Sequence, residues 1–522
     1  MQLGFVIDHS RCIGCHACTV ACKSENAVPV GSFRTWVKYT ETGEFPQVKR
    51  HFAVLRCNQC TNAPCVTICP TQALTKHANG IVDVDPKFCI GCKSCMQGCP
   101  YDALYIHPEH GTAQKCHFCE HRTERGLAPA CAVVCPTEAI IPGDFDDPKS
   151  MVARLRAMGE LEARKTEAGT QPNVWYREVD PSAIQPTETS PAGGYLWSNQ
   201  IEGPQHEASR FLATLDERAQ ARTTYDIDQQ PMWGWKVSLY LLTKAIAGGL
   251  ALAGMPVLTA GEPRAVLALA LLALVFLLVT TALLVVDLKR PERFLLILTH
   301  PNWDSWLVKG AWILIGYSAL VSAWLGMAWF ETFPAGLWRS GLAALTALFG
   351  VLTAGYTAFL FAQAKGRPLW MMRGMFSHLV LQSLIAGSAC VLLVARVPGL
   401  AEGMRAEHVG IAFLALAGAL LACLMQAVTK RMRAPVGRER EYGQALDLIE
   451  RGPYARRHKL GGLGLGLLLP LTLLVLVYTA DSTGPVAEWS AWLQSAAALA
   501  ALVGLYVEKD VLVRAGQALP IS

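Results

Sequence analysis

Four cysteine runs near the start of the chain constrain its fold more than any other feature. The third run, from Cys89 to Pro100, has the spacing C-x2-C-x2-C-x3-C-P residue for residue. The other three are variants, in which Lys23 replaces the proline, four residues separate Cys60 from Cys65, and eleven residues lie between Cys119 and Cys131. The runs contain sixteen of the eighteen cysteines, namely Cys12, Cys15, Cys18 and Cys22; Cys57, Cys60, Cys65 and Cys69; Cys89, Cys92, Cys95 and Cys99; and Cys116, Cys119, Cys131 and Cys135.

This spacing is typical of ligands for iron–sulfur clusters. A C-x2-C-x2-C loop places three thiolates around one face of a [4Fe–4S] cubane, and the fourth cysteine ligates the other cluster of a two-cluster module. Structural zinc sites also use four ligands per ion, but zinc ribbons do not usually repeat this spacing. A secreted disulfide scaffold is normally a short chain without long apolar helices. Iron–sulfur clusters are therefore the favoured prediction.

The composition changes after about residue 230. Residues 1–230 carry a net charge of −4, whereas residues 231–522 carry +9 and contain all the long apolar runs. A membrane-spanning helix needs about 20 apolar residues. We predict a polar, cysteine-rich domain and then an all-α membrane bundle of about eight helices. The predicted spans are 235–258, 265–287, 306–330, 339–361, 376–396, 409–428, 461–480 and 489–507.

The first domain resembles a known family over residues 1–180. It is similar to the four-cluster ferredoxin subunit of membrane-linked molybdopterin oxidoreductases, such as the polysulfide and dimethyl sulfoxide enzymes. The resemblance implies an α+β ferredoxin-like domain with four [4Fe–4S] clusters, in which the outer runs share two clusters and the inner runs share two. It assigns four ligand sets: set I is Cys12, Cys15, Cys18 and Cys135; set II is Cys22, Cys116, Cys119 and Cys131; set III is Cys57, Cys60, Cys65 and Cys99; set IV is Cys69, Cys89, Cys92 and Cys95.

Local patterns suggest further features around this domain. Alternating apolar residues at 81–85 and 103–106 predict two short strands that pair with each other. Residues 181–232 lose periodicity and are rich in Pro, Ser and Thr, so we predict a linker. No signal peptide is evident in the opening residues, because a basic start followed by an apolar stretch is lacking.

The second resemblance covers residues 233–512, with residues 513–522 left as a C-terminal tail. This part is similar to the NrfD/polysulfide-reductase membrane subunits. The motifs that carry the resemblance are WGWK at 233–236, DLKRPERF at 287–294, GYT at 355–357 and RPLW at 367–370. Members of this family bind a quinone near the ferredoxin face and carry no haem. The resemblance therefore implies menaquinone or ubiquinone as a cofactor, and Tyr356 matches a tyrosine near the quinone in family members. Four other polar residues close to the ferredoxin face are further candidates for this site: Lys244, Asp287, Arg290 and His378.

Each of these five residues also has a structural interpretation. Lys244 lies roughly 13 Å into the first span at 1.5 Å per residue, and an ionisable group at that depth suggests function. It could instead pair with an acid or extend to the interface. Tyr356 could simply pack in the bundle, and Asp287 and Arg290 could form a salt bridge within their loop. A single histidine at a helix end, such as His378, is usually structural.

Taken together, these patterns predict an electron-transfer subunit of a quinone-linked oxidoreductase in the lipid bilayer. Its expected partners are a molybdopterin catalytic subunit and the membrane quinone, with no nucleic acid. No catalytic residue is predicted, because the resemblance assigns substrate chemistry to the separate molybdopterin subunit. The alternative is a redox-driven ion-translocating module of a respiratory complex. That alternative needs a chain of buried ionisable residues, and from the sequence only Lys244 is clearly buried.

The positive charges of the loops predict an orientation. Loops on the ferredoxin side hold fifteen Lys and Arg, and the opposite loops hold four. The positive-inside rule then favours a cytoplasmic ferredoxin domain in the bacterial inner membrane. A periplasmic ferredoxin domain stays open as an alternative, because loop arginines could serve docking instead. Glu508 and Asp510, at the end of the last span, are expected to mark the membrane interface.

Overall fold

The chain folds into two parts that meet along one interface. The computed structural model describes residues 1–186, 189–190, 204–215, 221–227, 233–400, 403–479 and 485–521. An α+β part holds all four cysteine runs, and a helical part begins near residue 233. This division confirms the predicted fold class, a ferredoxin-like domain followed by an all-α membrane bundle.

The first domain is built around two four-stranded sheets and two hairpins. The strands are β1 (Leu3–Asp8), β2 (Thr35–Thr42), β3 (Lys49–Arg56), β4 (Leu74–Lys76), β5 (Val82–Val84), β6 (Leu104–Ile106), β7 (Ala113–Lys115), β8 (Ile140–Asp144), β9 (Leu161–Glu162), β10 (Val174–Arg177), β11 (Thr189–Ser190) and β12 (Ala221–Tyr225). The sheets have the orders β8-β1-β10-β9 and β11-β12-β2-β3. Phe5, Val6 and Ile7 of β1 are fully buried, because both faces of the first sheet are covered.

Short helices adjoin the cysteine runs and turn the chain around the thiols. They are α1 (Ala17–Glu25), α2 (Pro64–Ile68), α3 (Ser94–Gly98), α4 (Glu120–Thr123) and α5 (Ala130–Val133), followed by α6 (Met151–Ala157), α7 (Pro181–Ile184) and α8 (Pro204–Leu215). His16 and Lys93 occupy the same position in runs one and three, between the second and third cysteines. Both have left-handed backbone, with φ of 59° and 64°. This turn directs successive cysteines of a run toward one point.

The two hairpins correct the predicted strand pairing. β5 pairs with β4 and β6 pairs with β7, so segments 81–85 and 103–106 do not pair with each other. The cysteine loop of run three lies between them. Each strand instead pairs with a neighbour across a short connection, which costs less loop-closure entropy.

Part of the predicted linker, 181–232, is folded onto the first domain. β12 pairs antiparallel with β2, and Arg222 forms an ion pair with Glu41 at 2.9 Å. Trp36 Nε1 donates to Asp226 Oδ1 at 3.0 Å. Local periodicity could not reveal this, because β12 pairs with a strand about 180 residues earlier in the chain. The Pro- and Gly-rich part at 191–203 lies outside the described residues.

The second domain is a bundle of long helices. It contains α9 (Trp235–Ala253), α10 (Met255–Ala260), α11 (Pro263–Asp287), α12 (Leu296–Thr299), α13 (Trp306–Trp329), α14 (Leu337–Gln363), α15 (Met375–Val394), α16 (Ala406–Val428), α17 (Glu439–Glu450), α18 (Leu469–Thr479) and α19 (Pro485–Ala518). Among the described helices, seven are long and apolar enough to cross a membrane: α9, α11, α13, α14, α15, α16 and the segment Arg457–Thr479 that ends in α18. The predicted span 489–507 lies within α19, which is not one of the seven. Because α19 continues to Ala518, the predicted tail boundary at 513 falls inside it.

Helix α9 runs through the middle of the bundle. A Cβ on Gly249 would lie 1.9 Å from the Ser383 carbonyl oxygen of α15, so only glycine permits this close approach. Ser383 Oγ donates to the Ala245 carbonyl at 2.6 Å, and Tyr317 OH donates to the Ala247 carbonyl at 2.6 Å. These contacts place Lys244 of α9 among helices on several sides, with 2% of its surface exposed.

Candidate electron-transfer and quinone sites

The four cysteines of set II surround one cavity of the first domain. The cavity has a volume of about 310 Å³, and its walls include Cys22, Cys116, Cys119 and Cys131. Burial, and then the neighbouring thiolates of Cys116, Cys131 and Cys119, raise the pKa of the Cys22 thiol. Two runs that are about 100 residues apart in sequence therefore supply one group of thiols.

The four cysteines of set IV surround a second cavity. This cavity has a volume of about 340 Å³, and its walls include Cys69, Cys89, Cys92 and Cys95. Burial, with a contribution from the Cys69 and Cys89 thiolates, raises the pKa of Cys92 to about 12. The Ala113 N–H donates to Cys89 Sγ at 3.3 Å. Such hydrogen bonds to ligand sulfurs help set the potential of a cluster.

Set III lies between these two groups and has a buried cation beside it. Burial, and then the thiolates of Cys57, Cys65 and Cys99, raise the pKa of Cys60 well above its usual value. The Lys115 ammonium is buried and donates to the Cys116 carbonyl at 2.8 Å. Burial lowers the pKa of Lys115, but the thiolates of Cys57, Cys65 and Cys116 outweigh this effect and raise it overall. Lys115 therefore places a positive charge between sets II and III.

Set I lies nearest to solvent. Burial, and then the thiolates of Cys135 and Cys15, raise the pKa of Cys12. Cys15 is exposed, and Cys12 and Cys135 are half-buried. The Ala139 N–H donates to Cys135 Sγ at 3.2 Å.

The proximity of thiols in neighbouring sets gives a linear order. Thiols of adjacent sets are close enough to influence each other electrostatically. The pairs are Cys18 with Cys131, Cys57 with Cys116, and Cys65 with Cys69. These pairs join set I to set II, set II to set III and set III to set IV.

The residues around the cavities fit [4Fe–4S] clusters. Cysteine thiolates are the ligands of such clusters, and each set supplies four of them. Arg56 is fully buried, and its Nη1 donates to Cys131 Sγ at 3.2 Å. Its Nε and Nη2 have no hydrogen-bond partner among the described residues, although Arg56 lines the set II cavity. An unpaired buried N–H is costly, and a cluster with sulfur acceptors in that cavity would pair it.

Set IV faces the membrane domain. Trp233 Nε1 donates to the Cys92 carbonyl at 3.2 Å, and Lys93 Nζ lies 3.3 Å from the Asp287 carboxylate. The Lys289 N–H donates to the Gly91 carbonyl at 3.3 Å. The thiol order that begins at the solvent-exposed set I therefore ends at the start of α9 and the end of α11.

Two of the five predicted quinone residues lie together in the bundle. The Lys244 ammonium sits 4.3 Å from the centre of the Tyr356 ring and donates to Thr357 Oγ1. Tyr240, one turn before Lys244 on α9, lies 5.9 Å from the ammonium by its ring centre. No acidic side chain forms an ion pair with Lys244 in the part of the chain that the structure describes. The Lys244 ammonium can therefore donate to a polar ligand. The sequence analysis did not identify Tyr240 and Thr357 as neighbours of this lysine.

The other three predicted quinone residues lie elsewhere. Asp287 is at the interface beside set IV, where it pairs with Lys93. Arg290 also lies at this interface, and its Nε donates to the His110 carbonyl at 2.6 Å. His378 lies in the first turn of α15, where its Nδ1 donates to Gln426 Oε1 at 2.9 Å. Among the described residues, no hydrogen bond or ion pair joins these three to Lys244 or Tyr356.

The structure corrects one expectation about buried charge. Lys509 and Asp510, which are adjacent in α19, are 1% and 8% exposed and so are packed in protein. Lys244 is consequently not the only buried ionisable residue. The sequence signal for Lys509 was present as a charged triplet in an otherwise apolar helix. The burial of Lys509 depends on how far the neighbouring helices extend, and the sequence does not show this.

Several of the loop arginines that predicted orientation bind the first domain. Arg293 Nη1 donates to the Pro86 carbonyl at 2.6 Å, and Arg367 Nε donates to Gln97 Oε1 at 2.8 Å. Arg290 contacts His110 as described above. Contacts with the first domain thus account for part of the excess of Lys and Arg in these loops. The orientation of the chain in the membrane stays a prediction.

Comparison with known proteins finds a match for each domain. Residues 48–145 match the family model described as a 4Fe-4S dicluster domain, and residues 224–520 match the one described as polysulphide reductase, NrfD. The second match covers more than half of the chain.

Curated relatives match about a third of the chain. A tetrathionate reductase subunit of Salmonella typhimurium is 45% identical over 189 residues, which is 35% of this chain and 76% of that protein. Protein NrfC of Escherichia coli is 43% identical over 178 residues, or 34% of this chain and 80% of that protein. A component polypeptide of the polysulfide reductase of Wolinella succinogenes is 40% identical over 177 residues, or 33% of this chain and 93% of that protein.

Proposed function

This polypeptide belongs to the polysulphide reductase NrfD family, and it joins an iron–sulfur electron-transfer subunit to a multi-pass membrane subunit in one chain. From this premise we propose that it carries electrons through four [4Fe–4S] clusters, held by sets I to IV, between a molybdopterin-type catalytic partner and a membrane quinone. The observation that carries the proposal is the linear order of the thiol sets, which ends beside Trp233 and Asp287 of the membrane domain.

The protein groups around the sets suit electron transfer. When bound, the clusters would supply one-electron redox chemistry. Arg56 lies close to thiols of sets I and II, and Lys115 lies close to thiols of sets II and III. Buried cations at these positions offset the negative charge of the clusters and ease the arrival of an electron.

We place the quinone headgroup beside Lys244 and Tyr356. A quinone carbonyl oxygen accepts hydrogen bonds, and the Lys244 ammonium is a buried donor with a hydroxyl as its described partner. Tyr240 connects this position electrostatically to Asp287, the residue that pairs with Lys93 beside Cys92. Menaquinone and ubiquinone share the carbonyl chemistry that Lys244 would recognise.

The catalytic partner is proposed to dock on the face around set I. Apolar side chains of this face are unusually open, with Ile13 58%, Val20 65% and Val30 98% exposed. Exposed apolar residues near a solvent-facing cluster suit a protein interface. The relatives named as parts of tetrathionate and polysulfide reductases support a molybdopterin-type partner.

We further propose that the protein lies in the bacterial inner membrane with the ferredoxin domain in the cytoplasm. The support is the excess of Lys and Arg in the ferredoxin-side loops, which remains when Arg290, Arg293 and Arg367 are left out of the count. Protease added to inverted membrane vesicles should then degrade the ferredoxin domain, while right-side-out vesicles protect it. The opposite pattern would place this domain in the periplasm.

The proposal is tested on the purified full-length protein. It should contain about 16 iron atoms per polypeptide, and its broad visible absorption should bleach with dithionite. Adding 2,3-dimethyl-1,4-naphthoquinone to the reduced protein should restore the absorption. Zinc in a colourless protein contradicts the clusters, and bleached clusters that stay reduced after quinone is added contradict the quinone terminus.

The ion-translocating alternative needs titratable groups across the whole membrane. Within the described spans, titratable side chains (Asp, Glu, His, Lys and Arg) occur in two places. They lie between the ferredoxin-side ends and the depth of Lys244, and at the opposite ends of the helices, with none in between. This distribution favours electron transfer with proton exchange on one side. Proton movement across proteoliposomes beyond the amount that quinone chemistry consumes would favour the alternative.

A further inference from the structure

We infer that Glu508, His378, Gln382 and Lys509 form a proton path that connects the ferredoxin-side surface to Lys244. We call these four residues the relay. The inference rests on the quinone function proposed above and adds the route by which protons reach the buried site. Quinone reduction consumes two electrons, from the clusters, and two protons, which must come from water. A site at the depth of Lys244 needs such a route, because its side chain is 2% exposed.

The path begins in a cavity between helices, which we call the lateral cavity. It has a volume of about 540 Å³ and lies beside α15, α16, the Arg457–Thr479 span and α19, near their ferredoxin-side ends. Its polar wall consists of His378, Gln426, Lys430, Arg433, His458 and Glu508. Lys430 and Arg433 are half-exposed, so water can reach the cavity. It is distinct from the Lys244 site, whose residues do not line it.

A series of side-chain contacts leads inward from this cavity. Glu508 Oε1 lies 3.6 Å from His378 Nε2. Gln382 Nε2 donates to His378 Nε2 at 3.0 Å, and Lys509 Nζ donates to Gln382 Oε1 at 2.9 Å. With Nδ1 donating to Gln426, Nε2 is the basic nitrogen of the His378 ring; it accepts from Gln382, and it can take a proton once that amide turns away. Gln382 positions His378 and Lys509 and does not itself exchange protons, so we assign the transfer between these two side chains to a bridging water beside Gln382.

The last step joins two buried lysines. The Lys509 and Lys244 ammonium groups are close enough to influence each other electrostatically. Two positive charges in a low-dielectric interior repel each other, so a proton arriving at Lys509 favours release of the Lys244 proton to a reduced quinone, after which the Lys509 proton passes to Lys244. Packing alone does not explain a charge buried here, because Lys509 has an amide and no carboxylate as its described hydrogen-bond partner.

The charges around His378 suit a proton entrance. Groups that face it come from each neighbouring element. They are Gln426, Lys430 and Arg433 from the end of α16 and the turn after it, His458 from the span that follows, and Glu508 and Lys509 from α19. Glu508 is the one carboxylate among these described groups, and its Oε1 lies 3.6 Å from His378 Nε2.

The test follows cluster reoxidation in the full-length protein. Dithionite-reduced protein is mixed with 2,3-dimethyl-1,4-naphthoquinone, and the return of visible absorption is timed. We expect His378→Ala and Gln382→Leu to slow reoxidation about tenfold or more, with a larger solvent deuterium isotope effect. Added imidazole should restore the rate of His378→Ala, because the substitution leaves the space of the missing ring beside the lateral cavity. A merely structural histidine would not be rescued in this way.

His408→Ala is the matched control. His408 is also buried, at 3% exposure, but it lies in the first turn of α16 near the opposite end of the bundle. It should leave the rate unchanged. Iron content and thermal unfolding of each variant show whether it is folded. Equal rates in the wild type and both relay variants, with clusters intact, would overturn the path and leave the quinone function standing. Wild-type clusters that quinone does not reoxidise would overturn the proposed quinone function and the path with it.

A labelling experiment gives a readout that does not depend on turnover. Diethyl pyrocarbonate modifies histidines that water can reach, and mass spectrometry locates them. We expect modification of His378 in the wild type, and faster modification in Gln382→Leu, because the ring loses its inner hydrogen bond. Protection of His378 under conditions that modify exposed histidines such as His77 would contradict the lateral cavity as a water entrance.

Discussion

Lys93 Nζ lies 3.3 Å from the carboxylate of Asp287, and this contact joins the cysteine loop of set IV to the end of a membrane helix. Lys93 has left-handed backbone between Cys92 and Cys95, so its side chain leaves the cysteine loop on the membrane side. The two side chains are 8% and 16% exposed. An ion pair in this setting fixes where the cysteine loop of set IV sits relative to α11.

Asp287→Asn should weaken docking of the two domains. It leaves the Lys93 ammonium buried without a counter-charge, at a cost of about 1–3 kcal/mol. We expect a lower melting temperature, followed by loss of visible absorption, and slower reoxidation of the clusters by quinone. Asp304→Asn, at an exposed position near the same interface, is the control and should change neither. An unchanged melting temperature in Asp287→Asn would mean that the pair does not hold the domains together.

Arg56→Gln should lower the midpoint potential of the cluster in set II. The change removes a buried positive charge and the N–H that donates to Cys131 Sγ at 3.2 Å. Both stabilise the reduced cluster, which carries the extra electron. The expected shift is about 60 mV, equal to a tenfold change in a one-electron equilibrium. Redox titration followed by electron paramagnetic resonance measures it, and the exposed Arg154→Gln serves as control.

The four cysteine runs could be recognised because ligand spacing is local chemistry, whereas their division into sets across the runs came from the family resemblance and stays a prediction. Each run needs only a short loop with a left-handed turn, as at His16 and Lys93. The fold class followed from the same local signals and from the length of apolar segments. The bounds of α11 and α16 differ by no more than three residues from the predicted spans 265–287 and 409–428.

Features that depend on distant contacts could not be predicted. The pairing of β12 with β2 relies on Glu41 meeting Arg222, and nothing near either residue announces it. Asp287 and His378 were grouped with Lys244 because each is polar and close to the ferredoxin face. Their actual partners depend on helix packing, which also buries Lys509 of α19.

Cys135→Ser should remove one cluster and leave three. Set I would lose its ligand from the fourth run, so iron should fall from about 16 to about 12 atoms per polypeptide. Mass spectrometry under native conditions would count the clusters. Cys390→Ser changes a buried membrane cysteine outside the sets and should retain all the iron. Full iron in Cys135→Ser would contradict the assignment of this residue to set I.

The stability of the docked protein should rise between about pH 8 and pH 10 because of Lys165. This lysine pairs with Glu441 of α17 at 3.1 Å, but Glu441 also pairs with Arg438, so one positive charge is in excess. Burial, only partly offset by Glu441, lowers the pKa of Lys165 from 10.5 to about 8. Above pH 8 the unfolded protein binds more protons at this residue than the folded one, so stability increases with pH.

Thermal unfolding at several pH values measures this effect. Lys165→Gln should remove the rise, since it has no proton to lose. Lys149→Gln, at an exposed position of the same domain, should keep it. An identical pH profile in the wild type and Lys165→Gln would contradict the lowered pKa.

The substitution Lys244→Met tests whether Lys244 serves the quinone site or only the packing of the bundle. The ammonium is buried beside Tyr356 with a hydroxyl as its described hydrogen-bond partner. A buried charge without a counter-ion costs folding free energy, so methionine of similar length should stabilise the bundle by about 1–3 kcal/mol. Quinone should nevertheless reoxidise the clusters at least about tenfold more slowly, because a carbonyl oxygen loses its donor.

The comparison variant is Lys309→Met, which removes a half-buried lysine that stacks on Trp306 at 4.8 Å. Its melting temperature and its reoxidation rate should stay close to those of the wild type. If Lys244→Met instead melts earlier and reacts at the normal rate, the lysine supports the helix packing and the quinone binds elsewhere. A gain in stability together with a loss of quinone reactivity is the signature of a charge that is kept for function.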